Sequence, residues 1–196
     1  MARDYGFAPN PFYGWCTLAT CKPDIRRLAS AGDWVIGTGS KTCERADQIV
    51  YAMCVTETLS FNDYWSDPRF QCKRPNLRGS KKQAFGDNIY HRESGSAPWI
   101  QEDSHHTFSD GTTNFRNVPT DTKSDGVLLS RIFIYWGSDG PKLPNKFTDG
   151  SEIDIRARRG YKNRFPNEII LAFVDWIRDF GDVGFIGEPL DWQQSP

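Results

Sequence analysis

The chain has 196 residues, of which 38% are hydrophobic and 14% aromatic, and this composition is typical of a folded protein rather than a disordered one. Its formal net charge of −1 argues against binding along an extended nucleic-acid duplex, because such proteins need positive charge to displace counterions from phosphates. The sequence contains no window of 18 apolar residues and does not begin with an apolar signal segment, so we expect a cytoplasmic protein without a membrane partner.

The first elements are a strand and a short helix. Segment 12–21 is rich in aromatic and β-branched residues, which predicts a buried strand. Segment 22–30 predicts a short helix that is opened by Pro23, with Ile25 and Leu28 facing inward.

Two further strands and a helical turn follow. Trp34–Ile36 predicts a strand, and segment 48–60 predicts the clearest strand of the chain. The latter places four apolar side chains on one face: Ile49, Tyr51, Met53 and Val55. The next segment, 60–70, predicts a capped turn of helix that ends at an Asp-Pro pair.

The second half combines a long loop region with two strong elements. Residues 71–125 are rich in Gly, Ser, Asp, Asn and Thr and predict a loop-rich insertion with short extended pieces at 88–92 and 98–101. Segment 127–137 predicts a strand. Segment 166–181 predicts a helix, since Ile169, Ile170, Phe173, Val174 and Ile177 follow a helical period. The whole chain therefore predicts an α+β protein with two or three helices.

All three histidines, His91, His105 and His106, lie within 16 residues, and this clustering indicates a functional site. Imidazole and carboxylate groups can recognise the hydrogen-bonding edge of a base, which favours a nucleotide site with Asp103 as a further member. Arg92 would hold a phosphate. Trp99 or Tyr90 would stack on the base.

The same stretch is compatible with other chemistry. If the protein is an enzyme, Asp103 with His105 or His106 would form the proton-transfer pair, although the sequence offers no obvious nucleophile beside them. A zinc site is disfavoured because adjacent side chains such as His105 and His106 diverge. The five cysteines predict reduced thiols and no complete zinc motif, so we expect no metal and no cofactor.

Three basic or glycine-rich segments are candidates for phosphate contacts. Thr38, Ser40 and Lys41 lie in the loop "GTGSK", which lacks the spacing of a P-loop but fits either a small anion nest or a plain hairpin-like turn. The basic runs 73–82 and 156–164 predict either a phosphate-facing rim or solvated loops.

Long motifs carry a resemblance to a known family. They include "DIRRLASAGDWVIGTGSK", "QIVYAMCVTETLSFNDYWSDPRF", "WIQEDSHH" and "RGYKNRFPNEIILAFVDWI". With these motifs the chain resembles the nucleotide modification associated domain 2 family of bacteria and phages, over nearly its whole length. This resemblance implies a role with modified nucleotides without naming a reaction.

A more distant resemblance concerns the base-binding barrels of the PUA, EVE and ASCH type. Residues 22–70 contain a short helix, Gly32-Asp33, a strand, a loop, a second strand and Asp67-Pro68 in the order of those barrels. The resemblance implies a curved or barrel-like mixed sheet with a pocket for one nucleobase.

Together these observations favour one domain, residues 1–196, that binds a nucleotide or a single nucleobase, with the three histidines converging on one cavity. One alternative is an enzyme that modifies or hydrolyses a nucleotide by acid–base chemistry. Another is a phage-type sponge that sequesters a nucleotide immune signal without turnover. A homo-oligomer is compatible with each of these functions.

Overall fold

The computed structural model describes residues 1, 3–41, 44–148, 154–157, 160–181 and 184–192. These residues form nine strands and five α-helices in a mixed α+β arrangement. The strands are β1 (Cys16–Leu18), β2 (Trp34–Thr38), β3 (Ile49–Cys54), β4 (Glu57–Ser60), β5 (Tyr90–His91), β6 (Ile100–Gln101), β7 (Gly126–Ser130), β8 (Ile132–Tyr135) and β9 (Gly184–Phe185). The helices are α1 (Pro23–Leu28), α2 (Phe61–Ser66), α3 (Lys81–Ala84), α4 (Asn117–Asp121) and α5 (Asn167–Arg178).

A long antiparallel ribbon connects the two main sheets. β3 pairs with β8 and β4 pairs with β7, with Cys54 opposite Ile132 and Glu57 opposite Leu129. The register is therefore unbroken between the two ladders. At the junction the Ser130 hydroxyl donates to the carbonyl of Ile132 at 2.8 Å, and this satisfies backbone groups where the strands bend. The predicted strand 48–60 is thus two strands, β3 and β4, separated by this bend.

The strands are arranged in three sheets. Their orders are β1-β7-β4, β2-β3-β8-β9 and the two-stranded β5-β6. All neighbouring pairs are antiparallel except β8 and β9. The described strands form no closed barrel, so the PUA- or EVE-like barrel is not confirmed.

Three apolar clusters lie on the faces of the two main sheets. The cluster between the sheets takes residues from both of them: Cys16, Leu18, Val35, Met53, Leu128 and Phe133. A second cluster lies where α5 covers the four-stranded sheet. A third packs the opposite face of the three-stranded sheet against α2 and β5. The short elements at residues 61–91 are therefore anchored to the sheet through buried aromatic side chains.

Helix α5 occupies the segment that the periodicity predicts as helix, and its Ile169, Phe173 and Ile177 pack on the sheet. Ile170 was expected on the same face but is 41% exposed. The reason is geometric, because Ile170 is turned 100° from Ile169 around the helix. No helix in the described part of the chain is long and apolar enough to cross a membrane.

Helix α1 also departs from its expected burial at one end. Ile25 packs against the central cluster, as predicted. Leu28 was expected to face inward but is 42% exposed. It is the last residue of a six-residue helix, and Ala29 turns into extended backbone directly after it.

The region 71–125 contains more regular structure than its composition predicts. It holds α3, β5, β6 and α4, so the described residues have five helices rather than two or three. Both helices are too short for a periodic signal. Before α3, however, Ser80 and Gln83 form a reciprocal capping box, a pattern that the sequence does contain.

Candidate active site

Cys21 lies in the tight turn between β1 and α1. Its backbone and that of Lys22 are both left-handed, with φ of 53° and 41°. Such backbone is costly for residues other than glycine, by about 1–2 kcal/mol each, and it persists only where the surroundings hold it. Here the Cys21 amide donates to Asp121 Oδ1 at 2.9 Å, and the thiol remains partly exposed.

His106 connects the thiol to a buried carboxylate. Its Nε2 lies 3.6 Å from Cys21 Sγ, and its Nδ1 lies 2.6 Å from Asp121 Oδ2. The imidazole side chain is 16% exposed and the Asp121 side chain 3% exposed. Thiol, imidazole and carboxylate are thus in series, which is the arrangement in which a base activates a nucleophile and is itself oriented by a third group.

Asp121 is the last residue of α4 and the centre of the network. Besides His106 and the Cys21 amide, it accepts from the Tyr90 hydroxyl at 2.9 Å. Gln101 in turn donates to the Tyr90 hydroxyl at 2.9 Å. Both Asp121 oxygens are therefore fixed by hydrogen bonds, and the carboxylate cannot rotate away from His106 without breaking them.

The charges of this network set the protonation of His106. Burial alone lowers the pKa of His106, but the hydrogen bonds and negative charge of Asp121 and Cys21 outweigh it and raise the pKa to about 9. His106 is therefore an imidazolium at neutral pH, with Nδ1–H donating to Asp121. Burial and the Asp121 charge also raise the pKa of Tyr90, so its hydroxyl stays protonated and acts as a donor.

Arg26 holds the two loops of the site together. Its side chain is buried and donates to the carbonyl of Cys21 at 2.9 Å and to that of Ser124 at 2.8 Å. It also donates to the carbonyls of Asp121 and Gly126. A guanidinium is suited to this because its five donors form a fixed planar fork. The turn that carries the thiol is thereby fixed to the end of α4, which carries the carboxylate, and to the segment that follows it.

The same three side chains are the one described cluster that could hold a metal ion, since their ligand atoms lie within 4.8 Å of one another. The 3.6 Å separation of Cys21 Sγ and His106 Nε2 fits two ligands of one zinc ion. Asp121, however, bonds the other ring nitrogen, so it would orient His106 rather than bind the same ion. Two protein ligands are fewer than the three or four of zinc sites, so the geometry favours a catalytic triad.

The structure does not bring the three predicted histidines to one cavity. His105 and His106 are neighbours, with ring centroids 6.0 Å apart. His91 instead stacks on Trp65 at 4.1 Å and contacts Glu102 at 2.8 Å. The reason is the strand pleat of β5, which directs Tyr90 towards Asp121 and its neighbour His91 to the opposite face.

His105 has a different environment from His106. Its ring contacts three aromatic rings, with centroid separations of 4.5 Å to Tyr5, 5.2 Å to Phe85 and 5.4 Å to Phe7. Partial desolvation, followed by the charge of His106, lowers the pKa of His105. Adjacent residues of one loop therefore have pKa values shifted in opposite directions, and a neutral His105 lies beside a charged His106.

The remaining residues of the predicted pocket lie in other contacts. The Arg92 guanidinium covers the Trp99 ring at 3.5 Å and donates to the Gly95 carbonyl at 2.7 Å. Asp103 accepts from the Thr107 hydroxyl at 3.0 Å. The carboxylate partner of His106 is thus Asp121 and not Asp103, although Asp103 is only three residues away in sequence.

The glycine-rich loop forms part of a hairpin. Thr38 ends β2 opposite Ile49, and the Gly39 amide donates to the Gln48 carbonyl at 2.8 Å, so this amide is engaged in the turn. Ser40 accepts through its carbonyl from the Arg45 amide, and the Lys41 side chain is exposed.

Each basic run contains at least one cation with a fixed partner, while residues 76–82 of the first run and 160–164 of the second are exposed. In the run 73–82, Lys73 is fully buried and donates to Asn10 Oδ1 at 2.6 Å and the Trp15 carbonyl at 2.9 Å. In the run 156–164, Arg156 pairs with Asp154 at 2.8 Å. Residues 158 and 159 of that run lie outside the described residues.

Three members of the site are not among the residues predicted from the sequence: Cys21, Arg26 and Asp121. Cys21 and Asp121 are 100 residues apart, and only tertiary structure brings them together. The local sequence gave no signal for Cys21, because Pro23 favours extended backbone at Lys22, whereas Lys22 is left-handed in the structure.

Comparison with protein families gave a match to the model of nucleotide modification associated domain 2 over residues 1–196. Comparison with curated proteins and with solved structures gave no match.

Proposed function

The chain belongs to the nucleotide modification associated domain 2 family, and from this premise we propose that it is an enzyme that acts on modified nucleotides through the thiol of Cys21. The observation that carries the proposal is the series Cys21 Sγ, His106 and Asp121, with distances of 3.6 and 2.6 Å. This series supplies the nucleophile that the histidine-rich stretch lacks.

The reaction class that fits a thiol–imidazole–carboxylate series best is acyl transfer. The Cys21 thiolate attacks the carbonyl carbon of an amide or ester group carried by the nucleotide. As the S–C bond forms and the C–N or C–O bond breaks, His106 Nε2 gives its proton to the leaving amine or hydroxyl. Water then adds to the thioester, with His106 accepting its proton, and releases the acid and the thiol. Another acceptor in place of water would make the protein a transferase.

The other residues of the network act through this pair. Asp121 fixes the ring of His106 and stabilises its charged form. Arg26 and Tyr90 hold Asp121 and the Cys21 turn in place. The thiol must be reduced to react, which supports the expectation of a cytoplasmic protein. We retain the proposals that residues 1–196 form one domain and that a base-recognition pocket includes Trp99. The expected alternative, Tyr90, is buried with its hydroxyl bonded to Asp121, so its ring does not offer a face to a base.

The experiment is to incubate the protein with nucleoside 5′-monophosphates that are acylated on the exocyclic amine, and with the unmodified nucleotides. Chromatography would follow product, and mass spectrometry of the intact protein would detect an acyl adduct. We expect turnover by the wild type, no turnover by Cys21→Ser, and a rate lowered by at least about 100-fold in His106→Gln. Cys54→Ser is the matched control, because Cys54 is a partly buried thiol outside the network.

Two results would contradict the proposal. The first is turnover that survives in Cys21→Ser. The second is tight binding with every nucleotide recovered intact, which would favour the alternative of a binding module or a sponge.

A further inference from the structure

A concave site lies at the other end of β1 from the thiol. It is a cavity of about 270 Å³, close to the lower size of small-molecule sites. Residues before β1, the α3 helix, the junction of β7 and β8, and β9 all contribute to its lining. From Gly14 to Cys21 the chain spans at most about 25 Å, so the two sites are separate but near.

Aromatic rings form the floor and one wall of the cavity. Phe12 and Phe133 are buried at its base, and Phe185 meets Phe12 edge-on at 5.3 Å. Tyr13 is 42% exposed and lines the rim. Its backbone is left-handed with φ of 59°, followed by Gly14 with φ of 76°. This turn presents the Tyr13 ring to the cavity instead of packing it into the core, and strain of this kind concentrates at ligand sites.

Two cations complete the lining. The Lys82 ammonium lies 4.6 Å from the centre of the Phe185 ring, and the Arg131 guanidinium lies 4.4 Å from the centre of the Trp15 ring. Both side chains are exposed. Within the described part of the chain, no ion pair engages either of them, whereas Arg3, Arg69 and Arg156 each pair with a carboxylate. They are held by aromatic faces and keep donors for an anion.

We propose that this cavity binds a phosphorylated nucleoside, with Lys82 and Arg131 contacting the phosphate and the exposed ring of Tyr13 stacking on the base. Phe185 serves as apolar wall only, because its ring already stacks on Tyr135 and lies under the Lys82 ammonium. The chemistry is complementary on both counts, since an exposed aromatic face accepts a heterocycle and two cations outside the described ion pairs accept a phosphate. A net charge of −1 is no obstacle, because one phosphate group needs only local cations. Lys82 also ends the basic run 73–82, which gives that run a defined role. This site does not depend on the thiol chemistry of Cys21.

The test is calorimetric titration with nucleoside 5′-monophosphates and with the corresponding nucleosides. We expect the phosphorylated forms to bind more tightly. The double variant Lys82→Gln/Arg131→Gln should lose about 100-fold in affinity for them, about tenfold for each charge-assisted contact, and little for the nucleosides. The matched control is Lys142→Gln/Arg178→Gln, which removes the same charge from exposed surface pairs.

Circular dichroism would establish that both double variants are folded. A 5′-phosphorylated oligonucleotide titrated in parallel tells whether the site takes the phosphate of a free nucleotide or that at the end of a strand. Binding of either ligand that is weakened in Lys82→Gln/Arg131→Gln supports the site. Equal affinity of the two double variants, or nucleotide binding that Lys82→Gln/Arg131→Gln leaves unchanged, would overturn the proposal. Binding should survive in Cys21→Ser, so loss of catalysis and loss of this site are separable.

Discussion

Replacement of His106 by glutamine should change how the stability of the protein depends on pH. In the native state the pKa of His106 is raised to about 9, against an ordinary value of 6.5 that applies to the unfolded chain. Between these values the native state retains a proton that the unfolded chain releases. The stabilisation by His106 is therefore fully present below pH 6.5 and is lost as the pH rises through 9.

The size of the stabilisation by His106 follows from the difference between its pKa in the native and the unfolded state. A difference between about 9 and 6.5 corresponds to about 3 kcal/mol at 1.36 kcal/mol per pH unit. Little of it should be lost to solvent screening, because the imidazole side chain is 16% exposed. Lys73 affects the pH dependence of stability with the opposite sign. Burial lowers the pKa of Lys73 to about 8, so its contribution to stability should rise with pH between 8 and its ordinary pKa of 10.5. Both proteins contain Lys73, so the difference between wild type and variant cancels this contribution.

The assay is urea unfolding followed by tryptophan fluorescence at several pH values from 6 to 9. The difference in unfolding free energy between wild type and His106→Gln should shrink by about 3 kcal/mol over this range. His105→Gln is the control: the native pKa of His105 is lowered, so its stability contribution changes with pH only below 6.5. A difference between wild type and His106→Gln that stays constant with pH would refute the protonation assigned to His106.

Two further outcomes concern the residues around His106. In Asp121→Asn, loss of the carboxylate should lower the pKa of His106 by at least about one unit, measured by NMR titration of the ring protons, and an unchanged pKa would show that Asp121 does not set it. In Arg26→Met, the carbonyls of Cys21 and Ser124 lose their donor, which should lower the unfolding free energy by about 3 kcal/mol. The control is Arg27→Met on the exposed side of α1, which should change the unfolding free energy by less than about 0.5 kcal/mol. Equal effects of the two arginine variants in urea unfolding would contradict the role given to Arg26.

The parts of the fold that could be predicted are those with a local signal. Helix α5 follows from its apolar period, and the strands around residues 49–60 and 127–135 follow from their β-branched and aromatic composition. At the bend that divides the long ribbon, Ser130 hydrogen-bonds to the carbonyl of Cys54, which is 76 residues away in sequence, so no local pattern encodes the contact. The helices α3 and α4 have four and five residues, which is shorter than the window of about 11–18 residues over which a helical period can be recognised.

In the candidate site, too, features with a local sequence signal could be predicted, whereas contacts between distant parts of the chain could not. The clustering of histidines predicted a site that includes His106, and the structure places His106 beside Cys21 and Asp121 while His91 lies against Trp65. The partners of His106 come from residues 21 and 121, and their approach depends on how β1 and β7 pair in one sheet. The nearest acid in sequence, Asp103, is directed to Thr107 instead. Sequence proximity therefore pointed to His106, but it pointed neither to Cys21, the proposed nucleophile, nor to Asp121, its proposed orienting carboxylate.

The most direct measurement of the central claim is the rate at which iodoacetamide alkylates each cysteine, followed by peptide mass spectrometry. Cys21 is less exposed than Cys72, yet the account predicts that Cys21 reacts faster, because His106 lies beside its sulfur. His106→Gln should slow Cys21 by at least about tenfold and leave Cys72 unchanged. If Cys21 reacts more slowly than Cys72 in the wild type, or at the same rate with and without His106, then Cys21 is not an activated nucleophile.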